Sequence, residues 1–160
     1  MDNTTDSKSL TIVREFAAPR ERVWAAWTDE KELAKWWGPR GVTNPTCEWD
    51  ARPEGHINIV MLAGSDMGSF AGAEWPMTGT IKEVVPQERI VFTGNAIMDG
   101  KIVLEDLCTV TLEDIGGKTR MTLTVVVTMV TAEGEGPLQG MKLGWTQSID
   151  KLEEFVEGNN

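Results

Sequence analysis

The chain has no tyrosine, a single histidine (His56) and two cysteines, Cys47 and Cys108. Without tyrosine there is no phenol to serve as an acid or to donate to an oxyanion. With one histidine, any imidazole chemistry runs through His56 alone, and a metal centre has no second histidine or paired cysteine to build on. The cysteines lie far apart in no metal-ligand spacing, which predicts reduced, buried, inert thiols and a cytoplasmic setting. Positive charge is also short: 15 Lys and Arg against 25 Asp and Glu leave a formal net charge of −10. That balance, without a Lys/Arg cluster, argues against nucleic acid and anionic membrane as partners. No apolar run approaches the roughly 20 residues of a membrane span, and MDNTTDSKS lacks the apolar core of a signal peptide. Catalytic signatures are missing too: no Gly-x-Ser-x-Gly elbow, no phosphate loop, no dinucleotide fingerprint and no His-Glu-x-x-His. No cofactor is therefore predicted.

What is present is tryptophan, seven of it, in a chain of 160 residues, long enough for one domain with a real core. Residues 1–8 read as disordered and residues 9–158 as a single domain. SLTIVREF alternates as a strand. Pro19 opens a helix through Trp27, and Asp29 with Glu32 resembles a capping box for a second short helix ending at Gly38-Pro39. From Val42 the texture turns to strands: TCEWDARP, HINIVML, WPMTGTIKEVV, ERIVFTG, IVLEDLCTVTLED and RMTLTVVVTMV. Turns are expected at Arg52-Pro53-Glu54-Gly55, Pro86-Gln87, Met98-Asp99-Gly100 and Ile115-Gly116-Gly117-Lys118. The last strand alternates most cleanly, with Met121, Leu123, Val125, Val127 and Met129 on one face. A Gly-rich connection then leads into a long C-terminal helix with Pro137 near its first turn. Strands joined by short turns make an antiparallel meander, so the class is α+β.

Several strings also resemble a known family. They are Ala18-Pro19-Arg20 with Val23-Trp24, Trp36-Trp37-Gly38-Pro39, Arg52-Pro53-x-Gly55, Pro86-x-Glu88-Arg89-Ile90, Gly117-Lys118-Thr119 and Gly144-Trp145-x-Gln147-Ser148. Together they resemble the AHSA-type domains, named for the C-terminal domain of an activator of the ninety-kilodalton heat-shock chaperone ATPase, within the START and Bet v-like (SRPBCC) superfamily. The resemblance covers residues 10–157. It implies a helix-grip fold: a curved antiparallel sheet wrapped around the C-terminal helix, with two short helices between the first and second strands and a cavity under the long helix. The chain departs from the pattern at His56, where relatives often have a second glycine, and near Thr78, where they often have a basic residue.

The long helix poses its own question. Gly140, Gly144 and Ser148 recur every four residues and so share one stripe, although a glycine in a helix costs about 1 kcal/mol relative to alanine. Small residues there either let the helix approach the sheet closely or leave room for a bound molecule. Leu152, Phe155 and Val156 fill the space beside the C-terminal half. The N-terminal half has fewer large groups, and with the resemblance it is expected to overlook a cavity. The expected ligand-binding residues are Trp75, Met77, Asp106, Gly140, Met141, Gly144, Trp145 and Ser148. Asp106 lies in register with Ile102, Leu104, Cys108 and Val110, so it is either buried with a partner or aimed into the pocket. Trp75-Pro76-Met77 is expected at the rim, with residues 64–74 as a lid. Of Trp36 and Trp37, one is expected inside and the other over a loop or an opening. His56 reads as a strand-edge residue, and Glu48 with Asp50 as an exposed acidic face.

The expected function is binding of a small apolar or amphipathic molecule, with homodimerisation left open. A polyketide-cyclase or hydrolase-like enzyme using the same cavity, with His56, Asp106 and Ser148 as the groups to test, is the alternative. A chaperone-interacting module with a role in stress response, as the family name implies, comes last, because the activator that named the family carries a further N-terminal domain for which this chain has no room.

Overall fold

The computed structural model describes residues 8–158. Its elements follow the expected order: β1 (Ser9–Phe16), α1 (Arg20–Thr28), α2 (Glu30–Trp36), β2 (Val42–Trp49), β3 (His56–Ala63), β4 (Glu74–Val85), β5 (Arg89–Met98), β6 (Lys101–Ile115), β7 (Lys118–Val130) and α3 (Glu135–Glu157). The strands form one sheet in the order β1-β7-β6-β5-β4-β3-β2, every pair antiparallel. The sheet curves around α3, which is the helix-grip arrangement of the α+β class. The disorder expected of residues 1–8 lies outside the described residues, apart from Lys8, whose carbonyl accepts from the Val127 amide at 2.8 Å.

Local chemistry explains the elements. Along β7, Thr119, Met121, Leu123, Val125 and Val127 are buried while the residues between them are not, the period-two signature of a sheet with one covered face. The expected turns at Glu54, Gln87 and Asp99 each place that residue at positive φ, the left-handed region that a tight reversal uses. Asp29 caps α2 by accepting from the Lys31 amide at 3.0 Å. Glu32 does not complete a capping box; its carboxylate pairs with Arg22 at 2.7 Å. The connection before α3 is partly helical, with a 3-10 turn at Ala132–Gly134. The segment between β3 and β4 likewise carries a 3-10 turn, Gly68–Phe70.

The expectation that Trp36 and Trp37 could not both face inward is corrected: they are 0% and 6% exposed. Trp36 ends the helix and donates its indole N–H to the Ala26 carbonyl at 3.0 Å. Trp37 has already left the helix, with an extended backbone (φ −63°, ψ 134°), and its ring packs 5.9 Å from that of Trp36, so both are buried. A second correction concerns Cys47, which is only half-buried, whereas Cys108 is buried as expected; both thiols are free.

The C-terminal half of α3 is anchored firmly. Ile149, Leu152 and Val156 are buried against the sheet core of Ile57, Ile81, Ile90, Phe92 and Leu123; each such side chain contributes about 1.5–3 kcal/mol when fully buried. Arg14 on β1 bridges Asp150 (2.9 Å) and Glu153 (2.8 Å). The Ala17 amide donates to Glu157 (2.7 Å), the Arg40 amide to Gln147 (3.0 Å), and Lys151 to the Pro39 carbonyl (3.3 Å). Among the described residues, no side-chain hydrogen bond to the sheet or to α1 and α2 is made by residues 135–146 of the helix.

Candidate functional site

Under that N-terminal half lies a cavity of about 580 Å³, within the range of small-molecule sites. The helix supplies Gly136, Pro137, Gly140, Met141, Gly144, Trp145 and Ser148 to its wall, and β3 to β6 supply the opposite side. All eight residues expected at a site, Trp75, Met77, Asp106, Gly140, Met141, Gly144, Trp145 and Ser148, line this one space. The glycine question is answered by geometry. A Cβ added at Gly140 or Gly144 would meet no atom within 4 Å, so neither glycine serves a close approach to the sheet. Gly79 shows what that role looks like: its Cβ would lie 2.0 Å from the Thr93 carbonyl oxygen.

The inner end of the cavity is aromatic. Trp37, Phe92 and Trp145 line it, with Trp37 edge-on to Trp145 at 5.2 Å and 6.3 Å from Phe92. These rings continue into the core through Trp27, which stacks on Trp145 at 6.5 Å, and Trp49, edge-on to Phe92 at 5.0 Å. Met61, Met77, Met98 and Met141 complete a wall of unbranched, polarizable side chains that can adapt to an occupant's shape. The mouth is marked by lining residues that reach solvent: Phe70 is 57% exposed and Met98 42%. Of the expected lid, residues 64–74, only Phe70 lines the cavity, its ring 5.7 Å from that of Trp75.

Polar groups are few. Asp106 projects from β6 opposite Gly94 of β5, and the glycine makes space for it: a Cβ there would lie 2.7 Å from Asp106 Oδ1. Burial pushes the Asp106 carboxyl up to about 6, partly offset by hydrogen bonds from the Cys108 thiol (3.6 Å) and the Gly94 backbone. Cys108, fully buried beside this carboxylate, is driven well above its ordinary thiol value, which keeps it protonated. Ser148 donates to the Gly144 carbonyl one turn back at 2.9 Å. Asn95 donates to Thr78 at 3.2 Å on the face of the sheet opposite Met77 and Ala96, so its amide points away from the cavity. The expected shared face of Asp106 ends at Leu104: the β5–β6 ladder skips Val103 between the Ala96–Leu104 and Ile97–Ile102 pairs, and Ile102 emerges 41% exposed.

The other candidates lie elsewhere. His56 has a side chain 68% exposed and pairs with Glu48 at 2.9 Å, outside the cavity. Asp50 pairs with Arg52 at 2.7 Å. The lining residues that sequence reasoning missed, among them Met61, Phe92 and Leu104, sit on three different strands. Their alternation marked them as inward-facing; which inward positions stay uncovered by the helix depends on where α3 crosses.

The sequence pattern of the family described as Activator of Hsp90 ATPase homolog 1-like protein matches residues 17–157. Among solved structures, a protein from Chromobacterium violaceum is 28% identical, with a TM-score of 0.82 over 96% of this chain and 100% of that one. The AHSA1 protein of Silicibacter pomeroyi is 27% identical, with a TM-score of 0.73 over 91% and 94%. A solution structure from Arthrobacter aurescens, 24% identical, shares the fold with a TM-score of 0.80 over 99% and 92%. No curated protein matches the chain.

Proposed function

Because the chain belongs to the Activator of Hsp90 ATPase homolog 1-like family, we propose that it binds a small hydrophobic or amphipathic molecule between α3 and the sheet, using Trp75, Met77, Asp106, Gly140, Met141, Gly144, Trp145 and Ser148. The observation that carries this reading is the space itself: a cavity of about 580 Å³ beneath two helical glycines whose missing side chains nothing else occupies. Empty apolar space forfeits the contacts that close packing supplies, and a helix bearing Gly140 and Gly144 forgoes about 1 kcal/mol at each. A ligand that fills the space recovers those contacts.

The enzymatic alternative narrows. His56 lies outside the cavity, so a reaction there would rest on Asp106 as the acid or base and Ser148 as an orienting hydroxyl. No feature of the cavity favours a chaperone as its occupant, and no helix among the described residues is long and apolar enough to cross a membrane. The test is native mass spectrometry of protein purified from its own host, beside titration with a neutral fluorescent apolar probe such as Nile red. A discrete co-purifying mass, or saturable probe binding abolished by Gly144→Leu, supports binding. An empty protein that also leaves the probe dark refutes it.

A further inference from the structure

The polar groups of the cavity all face an occupant with the same kind of chemistry. Ser148 has committed its only proton to the Gly144 carbonyl and the Cys108 thiol has committed its own to Asp106. Asp106 is an acceptor whenever it is ionised. No Lys, Arg or His lines the cavity, so no cation from the wall meets that carboxylate. The donors that remain, the indoles of Trp37, Trp75 and Trp145, are neutral. A carboxylate held in apolar surroundings without a counter-charge is costly, and an incoming cation relieves that cost.

Resting on the binding function proposed above, we infer that the preferred occupant is an amphiphilic amine, an apolar body bearing one protonated nitrogen that pairs with Asp106. An ammonium brings three donors and no acceptor, the complement of this lining, and it can also rest against the faces of Trp37 and Trp145. A fatty-acid headgroup would bring only acceptors and place a second negative charge beside Asp106. Gly94 from β5, Val127 from β7 and Cys108 on its own strand lie against Asp106, Met77 from β4 and Ser148 from α3 line the same cavity, and none of them is charged. The preference for the amine therefore grows as pH rises through about 6, where the carboxyl ionises.

The experiment is displacement of Nile red by n-decylamine, n-decanol and n-decanoate, each below its micelle-forming concentration, at pH 7.5. The amine is expected to displace the probe at a concentration at least about tenfold lower than the alcohol, the scale of a charge-assisted hydrogen bond, with decanoate weakest. Asp106→Asn should bring the three within a few-fold of one another and leave decanol unchanged. Glu133→Gln, which removes one exposed charge outside the cavity, should preserve the order and so separates Asp106 from the general attraction of a chain at −10. An amine no better than the alcohol in the wild-type protein overturns the inference without needing any variant, as does an amine preference that survives Asp106→Asn. If decanol and Nile red bind while the amine gains nothing, the binding function stands and this inference alone falls. If the wild-type protein binds no probe, both fall.

Discussion

Replacing both Gly140 and Gly144 with alanine should stabilise the protein, an outcome opposite to the usual effect of changing small residues on a helix that faces a sheet. Each glycine sits in ordinary helical conformation, without positive φ, so alanine adds no backbone strain. A Cβ at either position has no neighbour within 4 Å, so the methyl groups cost no overlap. What remains is helix propensity, about 1 kcal/mol per position and about 2 kcal/mol for the pair. For a protein of this size a gain of 1 kcal/mol raises the melting temperature by about 2–4 °C, so the double variant should melt about 4–8 °C higher. Differential scanning calorimetry of ligand-free protein measures this directly. A lower melting temperature would refute the reasoning, since it would mean that the glycines accept close approach of the sheet after all. Gly144→Leu extends the series: the side chain should fit, the fold should hold, and Nile red binding should be lost.

At Gly79 the same change should do the reverse and cost about 1–3 kcal/mol, read as a lower denaturation midpoint, because its Cβ would run into the Thr93 carbonyl. Asp106→Asn should reshape the pH dependence of stability. The folded carboxyl lies near 6, above its ordinary 3.8, so its ionisation opposes folding: the favourable contribution is whole below about 3.8 and lost as pH rises through 6. The variant should therefore exceed wild type by ~3 kcal/mol at pH 8, at 1.36 kcal/mol per unit, with the difference vanishing near pH 4 in urea titrations. Thr119→Val should cost about 1–3 kcal/mol, because Thr119 Oγ1, fully buried, donates to the Ala18 carbonyl at 2.7 Å and the carbonyl would lose its partner. A denaturation midpoint unchanged from wild type would contradict it.

How much of this was legible beforehand differs by level. The strand of Met121 to Val127 and the turns at Glu54, Gln87 and Asp99 could be read directly, because period-two burial and reversal chemistry are written in neighbouring residues. The glycine stripe raised the right question but could not answer it, since a gap and a close approach need the same small residues. Asp106 reached the cavity, although its supposed companion Ile102 did not, because a ladder shift at Val103 breaks the alternation and no local signal marks it. Trp37 was misjudged by extending the helix one residue too far. Phe92 and Ala96 stayed hidden among other inward strand positions, because exposure to the cavity is decided by where a helix some forty residues later in the chain comes to rest.

The long helix is a beam held by unlike fastenings at its two ends. Every hydrogen bond from its side chains to Arg14, Ala17, Pro39 and Arg40 falls between Gln147 and Glu157. Over the cavity its side chains hold by apolar contact instead, with Leu138 buried beside Leu104 and Val127 and Met141 packed against them. Apolar contacts have no fixed direction, so this half should shift against the sheet at less cost than the half pinned by ion pairs and hydrogen bonds. Amide exchange should accordingly be faster across residues 139–146 than past Ser148, and an occupant should slow it there.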